Sequence, residues 1–157
     1  MKIVDFLSPE AIIPALAGTT KGDVLAEMSN FLAEKPVGSG GAIDPKVLYR
    51  ALEERERLAS TAIGDGIAIP HGKLDSVDHL LGALGRSVSG IAFDSIDGKP
   101  THIVFMLVAP LNSAGVHLKA LARLSRLFRD ANFRQRLLDA PDSATMFQTI
   151  AEEDAKY

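Results

Sequence analysis

A single histidine follows a short apolar run between glycines, in the stretch from Gly64 to Lys73. The run from Ile67 to Ile69 is typical of a brief buried strand, and Pro70 is expected to stop it because proline lacks a ladder donor. His71 would then lie in a turn, followed by Gly72, where backbone can approach a ligand or partner closely. A histidine positioned by a rigid strand suits reactive chemistry, although a purely structural turn histidine is the simpler alternative.

The glycines do not complete either of the common nucleotide-binding motifs. A P-loop ending at Gly72-Lys73 would need a glycine where the chain has Ile67 and a hydroxyl residue where it has Leu74. The dinucleotide fingerprint begins with Gly64 and Gly66 but has Ile69 in place of the third glycine. The sequence therefore predicts no nucleotide cradle at His71.

The segment before this stretch, Asp44 to Ala59, is predicted to be a helix that carries Arg55 on its apolar side. Asp44 can cap it and Pro45 fits the first turn. At roughly 100° per residue, Arg55 falls near the centre of a stripe of small and apolar residues. A buried arginine is costly unless it meets a carboxylate, a phosphate or carbonyl groups. Arg55 is therefore a candidate anion ligand, or else it snorkels or pairs with a structural acid.

A second predicted helix, Gly115 to about Arg129, carries His117 on its apolar stripe in the first turn. The positive end of the helix dipole disfavours a charged imidazole there, so His117 should be neutral with one N–H to donate. Taken alone, His117 is better interpreted as a satisfied core histidine. Together, Arg55, His71 and His117 would form an anion site around a nucleophilic imidazole, and this combination suggests phosphoryl transfer through histidine.

The run from Arg55 to Gly72 resembles the signature of enzyme IIA proteins of the phosphoenolpyruvate-dependent phosphotransferase system, mannitol/fructose class, with the nitrogen-regulatory branch nearest. The long S-T-x-I-G-x-G-I-A-I-P-H pattern within it is specific. The downstream stretch Ile91 to Pro100, the strand ending at Val108-Ala109-Pro110, and His117-Leu118 also fit that family. The resemblance covers about Leu7 to Ile150, nearly the whole chain.

The resemblance implies a role for each candidate residue. His71 would accept a phosphoryl group from a small, HPr-like phosphocarrier protein, His117 would hydrogen-bond near it without being phosphorylated, and Arg55 would hold the phosphate. Thr61 and Ser60 could add hydroxyl donors, with a turn or cap role as the alternative. Because the phosphate would arrive already bound to the donor protein and no carboxylate cluster suggests a Mg²⁺ site, we expect neither a cofactor nor a metal.

Two functions remain open within this family, and one outside it. The chain could be a regulatory module, with nitrogen-related signalling through target proteins, or a transport component that passes phosphate to a sugar-specific IIB domain. The regulatory function is favoured because no transporter segment is attached to the domain. A histidine-based hydrolase is disfavoured, because no serine has the G-x-S-x-G context and the four histidines lack metal-ligand spacing.

Length and composition set the outer bounds of the prediction. A chain of 157 residues with 46% hydrophobic content suits a single domain, 1–157, with its core at about 7–150. The absence of cysteine, of a signal peptide and of any apolar run near ~20 residues predicts a cytoplasmic protein without membrane insertion. The net charge of −3 argues against nucleic-acid binding. The local basic cluster is interpreted as a solvated helical face: Lys119, Arg123, Arg126, Arg129, Arg134 and Arg136.

The order of elements predicts an α/β fold, with a mixed sheet of about five strands flanked by helices on both faces, as in the mannitol/fructose-type IIA fold. The predicted strands are Ala11–Leu16, Ile67–Ile69, Leu81–Val88, Ile91–Phe93 and His102–Ala109, with His102 at the sheet edge. The remaining predicted helices are Thr20–Glu34 and shorter ones within Asn132–Leu138 and Asp142–Ala151. The stretch from Pro36 to Gly41 is predicted to be a glycine-rich loop.

Overall fold

The computed structural model describes residues 1–35 and 42–157, and within them a six-stranded mixed sheet lies between two helical layers. The strands are β1 (Ile12–Ile13), β2 (Ala62–Gly64), β3 (Ile67–Ala68), β4 (His71–Leu74), β5 (Leu81–Ile91) and β6 (Thr101–Pro110). The helices are α1 (Lys21–Ala33), α2 (Pro45–Leu58), α3 (Ala114–Leu127), α4 (Ala131–Asp139) and α5 (Ser143–Asp154), preceded by a 3-10 turn at Ile3–Asp5. The predicted α/β class is confirmed, and the predicted loop at 36–41 lies outside the described residues.

Strand β6 is the centre of the sheet. It pairs antiparallel with β5 and parallel with both β3 and β4, while β1 is parallel to β5 and β2 antiparallel to β3. Its side chains alternate between two cores: Ile103, Phe105 and Leu107 face one helical layer, and Val104, Met106 and Val108 face the other. The first core contains residues of α3, α4 and α5, and the second contains residues of α1 and α2. Helices therefore cover both faces of the sheet, as predicted.

The helices begin where local capping chemistry places them. The Thr20 side chain accepts a hydrogen bond from the backbone of Asp23 at 3.1 Å, and Asp44 accepts one from the backbone of Lys46 at 2.9 Å. Pro45 occupies the first turn of α2, where its missing N–H costs nothing. The predicted helices at Thr20–Glu34 and Asp44–Ala59 are thereby confirmed to within a residue or two.

Several predicted strand boundaries are wrong. The strand predicted at Ala11–Leu16 is reduced to β1, and the two strands predicted between Leu81 and Phe93 are one strand, β5, with an irregularity before Ile91. His102 does not lie at the sheet edge, because β6 has paired strands on both sides, and its Nδ1 contacts the Ser87 carbonyl at 2.9 Å. These errors share one cause: strand pairing depends on partners that are distant in the sequence.

The prediction that His71 lies in a turn is also wrong, because His71 is the first residue of β4. Pro70 interrupts the edge of the sheet for two residues only. Its carbonyl accepts a bond from Leu107 at 2.9 Å, and the parallel pairing with β6 resumes at His71. Among the strands of the described residues, β4 pairs with β6 alone, so its outer edge is not covered by another strand.

Candidate functional site

The glycines before His71 build a tight hairpin between β2 and β3. Gly64, Asp65 and Gly66 have φ values of 92°, 57° and 78°, in the left-handed region that glycine tolerates best. The backbone N–H of Asp65 donates to Asp97 Oδ2 at 3.0 Å, which ties the turn to the loop that precedes β6. The hairpin places β3 beside β6 and thus sets the position from which the chain continues to His71.

Gly72 brings helix α2 close to the histidine strand. A Cβ at this position would lie 3.4 Å from the Cβ of Ala51 and 3.7 Å from a methyl group of Leu52. A Cβ here would be in ordinary van der Waals contact with α2, so the helix packs directly against β4 at this point. Arg55 lies one helical turn beyond Ala51, so this close approach lets its side chain reach the ring of His71.

Both ring nitrogens of His71 are engaged. Nδ1 lies 2.9 Å from the carbonyl oxygen of Ile69, and Nε2 lies 3.2 Å from Nε of Arg55. A carbonyl oxygen can only accept a hydrogen bond, so the neutral ring carries its proton on Nδ1. Nε2 then holds the free lone pair, which accepts the bond from Arg55. The tautomer, and with it the potentially nucleophilic nitrogen, follows from this geometry.

Arg55 is held at a second point, because its Nη1 donates to the carbonyl of Ala59 at 2.8 Å. Ala59 ends α2 in an extended conformation, and its carbonyl is one of the groups that a helix terminus leaves without a partner. The expected need of a half-buried arginine for an acceptor is thus met by a carbonyl and by the imidazole of His71.

His117 approaches His71 from the other helical layer. The two rings have centroids 5.1 Å apart and planes inclined at 51°. The backbone N–H of His117 donates to the carbonyl of Ser113 at 2.8 Å in the first turn of α3. Its Nε2 is buried and has no hydrogen-bond partner among the described residues. A buried polar atom in this state is unusual and fits a site that awaits a further group.

Both imidazoles favour the neutral form. Burial lowers the pKa of His71 below its ordinary value of 6.5; the bond to Ile69 opposes this shift, and the charge of Arg55 adds to it. Burial also lowers the pKa of His117, helped by His71, Lys73 and Arg55. This direction agrees with the neutral His117 expected from the sequence, and burial is its largest cause.

Ser60 and Thr61 use their hydroxyls within the fold. The Ser60 hydroxyl donates to the carbonyl of Phe93 at 2.6 Å, and the Thr61 hydroxyl is bonded to the carboxylate of Glu56. The structure therefore brings Arg55, His71 and His117 together. The hydroxyls of Ser60 and Thr61, in the turn after α2, bond to other parts of the fold instead. The sequence interpretation missed Glu56 and its partner Lys21; the one local signal was that Glu56 follows buried Leu52 by one helical turn.

Part of the predicted basic face of the C-terminal helices is engaged in contacts within the chain. Arg123 pairs with Asp154 at 2.6 Å, and Arg136 pairs with Glu152 at 2.5 Å. Arg126 stacks over the ring of Tyr157 with 4.6 Å from Cζ to the centroid. These contacts agree with the interpretation of a helical surface rather than a nucleic-acid site.

Residues 5–153 match the family model described as "Phosphoenolpyruvate-dependent sugar phosphotransferase system, EIIA 2". Because this match spans nearly the whole chain, the chain belongs to this family.

Two relatives show the range of the family. A "Nitrogen regulatory protein" of Bradyrhizobium diazoefficiens is 38% identical over 151 residues, covering 96% of this chain and 95% of the relative. A "PTS system fructose-specific EIIABC component" of Bacillus subtilis is 36% identical over 154 residues, covering 98% of this chain but only 24% of that longer protein.

Solved structures give the same fold. The nitrogen regulatory protein IIA-Ntr from Neisseria meningitidis superposes with a TM-score of 0.86 at 28% identity, covering 94% of this chain and 98% of that one. The mannitol IIA of Escherichia coli superposes with a TM-score of 0.75 at 21% identity, covering 91% and 97%. None of the helices in the described part of the chain is long and apolar enough to cross a membrane.

Proposed function

We propose that the chain is a phosphocarrier of a phosphotransferase relay, in which Nε2 of His71 accepts a phosphoryl group from an HPr-like phosphocarrier protein. The observation that carries the proposal is the fixed tautomer of His71, with Nδ1–H bonded to Ile69 and the lone pair on Nε2. The lone pair attacks phosphorus, an N–P bond forms, and the bond from phosphorus to the donor's histidine breaks. The donor imidazole keeps that electron pair.

Arg55 would exchange one partner for another during this step. Its Nε donates to the Nε2 lone pair in the unphosphorylated protein, at the position where the phosphoryl group would bind. On transfer, the guanidinium can turn its donors to the phosphoryl oxygens in charge-assisted hydrogen bonds, while Nη1 keeps the Ala59 carbonyl. These donors would offset the charge spread over the equatorial oxygens.

His117 would supply a further hydrogen bond. With its proton on Nε2, the buried and unpartnered nitrogen can donate to a phosphoryl oxygen on the neighbouring ring. A neutral imidazole is a donor without a net charge, so phosphate remains transferable in both directions. Ser60 and Thr61 would act by fixing the turn after α2, since their hydroxyls already have partners.

The surface beside the site favours a protein as the phosphoryl donor and acceptor. Leu58, three residues after Arg55, is 83% exposed, and Val116 and Leu118 flank His117 with 45% and 64% of their surfaces exposed. Exposed apolar residues beside a polar centre are typical of protein docking surfaces.

The downstream role we propose is regulatory, in the nitrogen-related branch. It is supported by the match to 95% of the Bradyrhizobium regulatory protein and by the TM-score of 0.86 with the Neisseria IIA-Ntr. The alternative, transfer to a sugar-specific IIB domain, is supported by the fructose-specific relative. An Escherichia coli structure described as a complex of IIA mannitol with phosphorylated IIB also has this fold, with a TM-score of 0.76 at 21% identity.

The test is reconstitution with phosphoenolpyruvate, the general phosphotransferase enzymes and a panel of IIB acceptors. We expect one alkali-stable, acid-labile phosphate per wild-type chain and none on His71→Ala, with His79→Ala, changed at an exposed histidine, labelled normally. Stoichiometric label on His71→Ala would contradict the assignment of His71. Rapid passage of label to a sugar-specific IIB domain would favour the transport alternative.

A further inference from the structure

Glu56 is a buried carboxylate beside the site that the transfer step itself does not use. It follows Arg55 in α2 and is 8% exposed. Its Oε1 accepts a bond from the backbone N–H of Thr61 at 2.7 Å and another from the Thr61 hydroxyl, while Oε2 accepts from Nζ of Lys21 at 2.9 Å. A buried carboxylate is costly unless it is paired and hydrogen-bonded, and here both oxygens have partners.

Lys21 connects this carboxylate to the rest of the fold. It is the first residue of α1, so its bond to Glu56 joins the start of one helix to the end of the next. Its Nζ also lies 2.9 Å from Asp94 Oδ2 and 5.2 Å from the centre of the Phe93 ring. Burial opposes the charge of Lys21, but the bonds to Asp94 and Glu56 outweigh it and raise its pKa.

The contacts of Glu56 close the turn that follows α2. The helix ends at Leu58, and the next three residues connect it to β2. Ser60 is tied to the Phe93 carbonyl at 2.6 Å, and Thr61 is tied to Glu56 by two hydrogen bonds. Ala59 lies between the helix end and these two tied residues, so the direction of its carbonyl is set by them.

Building on the proposed function, we infer that Glu56, held by Lys21, is a positioning residue for Arg55. Glu56 fixes the turn, the turn fixes the Ala59 carbonyl, and that carbonyl holds Nη1 of Arg55 while Nε faces His71. An arginine side chain has much rotamer freedom, and a second anchor reduces what it must lose when it binds phosphate. Glu56 thus acts on the reaction through Arg55 and does not touch the phosphoryl group.

The direct test is the variant Glu56→Gln in single-turnover transfer to His71. Glutamine keeps the size and one acceptor oxygen for Thr61 but loses the charge that pairs with Lys21. We expect the transfer rate to fall by roughly tenfold or more, as for other losses of positioning at a reacting centre. The matched control is Glu54→Gln, which removes the same charge from the exposed residue that precedes Arg55 in the sequence. It should leave the rate unchanged.

The sign of the electrostatic effect separates positioning from a change in charge. The negative charge of Glu56 raises the pKa of His71, so its removal favours the neutral, nucleophilic imidazole. Loss of this charge alone would therefore not increase the protonated fraction of His71 at neutral pH. A decrease in rate with Glu56→Gln therefore cannot come from protonation of His71, and a double-mutant cycle with Arg55 attributes it to geometry.

A double-mutant cycle with Arg55→Ala distinguishes action through Arg55 from a general structural role. It compares the effect of Glu56→Gln on the transfer rate with and without the guanidinium group. If Glu56 acts through Arg55, Glu56→Gln causes no further loss of rate once the guanidinium is gone. An equal loss in both backgrounds would overturn the inference. Should Glu56→Gln fail to fold in thermal unfolding, Lys21→Met, altered at the partly exposed end of the pair, takes its place in the same cycle.

The outcomes also distinguish this inference from the function on which it rests. Wild-type protein that takes label on His71, together with a Glu56→Gln variant of unchanged rate, would contradict the role of Glu56 only. Wild-type protein that takes no label from the relay would contradict the proposed function itself.

Discussion

The two histidines of the site lie in different kinds of secondary structure and differ in how many hydrogen-bond partners they have. His71 begins a strand that is paired with the central strand of the sheet, and both of its ring nitrogens have partners. His117 lies in the first turn of a helix, and its buried Nε2 has no partner within the described residues. The difference indicates a division of labour: one imidazole is oriented in advance as the nucleophile, and the other keeps a hydrogen-bond donor for the incoming group.

Replacing Arg55 removes one of the two contacts that hold the His71 ring. Among variants that keep His71, it should slow phosphoryl transfer the most. Arg55→Lys should fold normally but slow transfer, because an ammonium group cannot bond the Ala59 carbonyl and the phosphoryl oxygens with one planar fork. We expect a loss of about 1–3 kcal/mol of transition-state stabilisation in single-turnover kinetics. Arg50→Lys, exposed on the same helix, is the control. An unchanged rate for Arg55→Lys would remove Arg55 from the site.

Variants of His117 test the other half of the division. His117→Ala should still be phosphorylated on His71, but forward and reverse transfer should both slow, because the donor to the phosphoryl oxygen is lost. His117→Gln keeps an N–H donor and should recover part of the rate. The measurement is transfer in both directions with purified phosphocarrier protein. Equal impairment of the two variants would contradict the hydrogen-bond role.

The sequence was informative where the signal is local. Thr20, Asp44 and Pro45 mark helix starts through contacts within three residues, and the structure places those helices within a residue or two of the prediction. The apolar stripes also brought out Arg55 and His117, because helical periodicity alone decides which side chains share a face. Arg55, His71 and His117, which the structure brings together, could therefore all be identified from the sequence.

The rest depends on partners far apart in the chain. That β4 resumes after Pro70 is decided by its pairing with β6, more than thirty residues later, as the register of His71 with Leu107 shows. Glu56 resembles any charged helix residue until Lys21 is placed against it across 35 positions. Local propensity carries no information about such pairs. For this reason the sequence wrongly predicted a turn at His71 and did not identify Glu56 as part of the site.

The pH dependence of stability should show that both imidazoles are kept neutral. Burial lowers both pKa values in the folded protein, so below about 6.5 the unfolded chain binds protons that the folded one does not. The free energy of unfolding should therefore be highest above that pH, fall as the pH decreases through it, and level off once the folded protein is protonated too. Denaturant unfolding at a series of pH values checks this.

The matched variant for the pH series is His117→Gln, which cannot titrate at this position. Its decrease in stability between neutral and mildly acidic pH should be smaller than that of the wild-type protein. An identical pH profile for the two proteins would show that folding does not change the pKa of His117. That result would contradict a neutral His117 held by burial.

The position of the phosphate on the imidazole is the most direct test of whether Nε2 of His71 is the nucleophile. Because Ile69 fixes the proton of His71 on Nδ1, we expect the N–P bond to form at Nε2 of His71 and nowhere else. Nitrogen NMR of the phosphorylated, ¹⁵N-histidine-labelled protein, with His71 assigned by substitution, distinguishes the two ring positions. Phosphate on Nε2 of His71 is the expected result; phosphate on Nδ1 of His71, or on His117, would show that Nε2 of His71 is not the nucleophile.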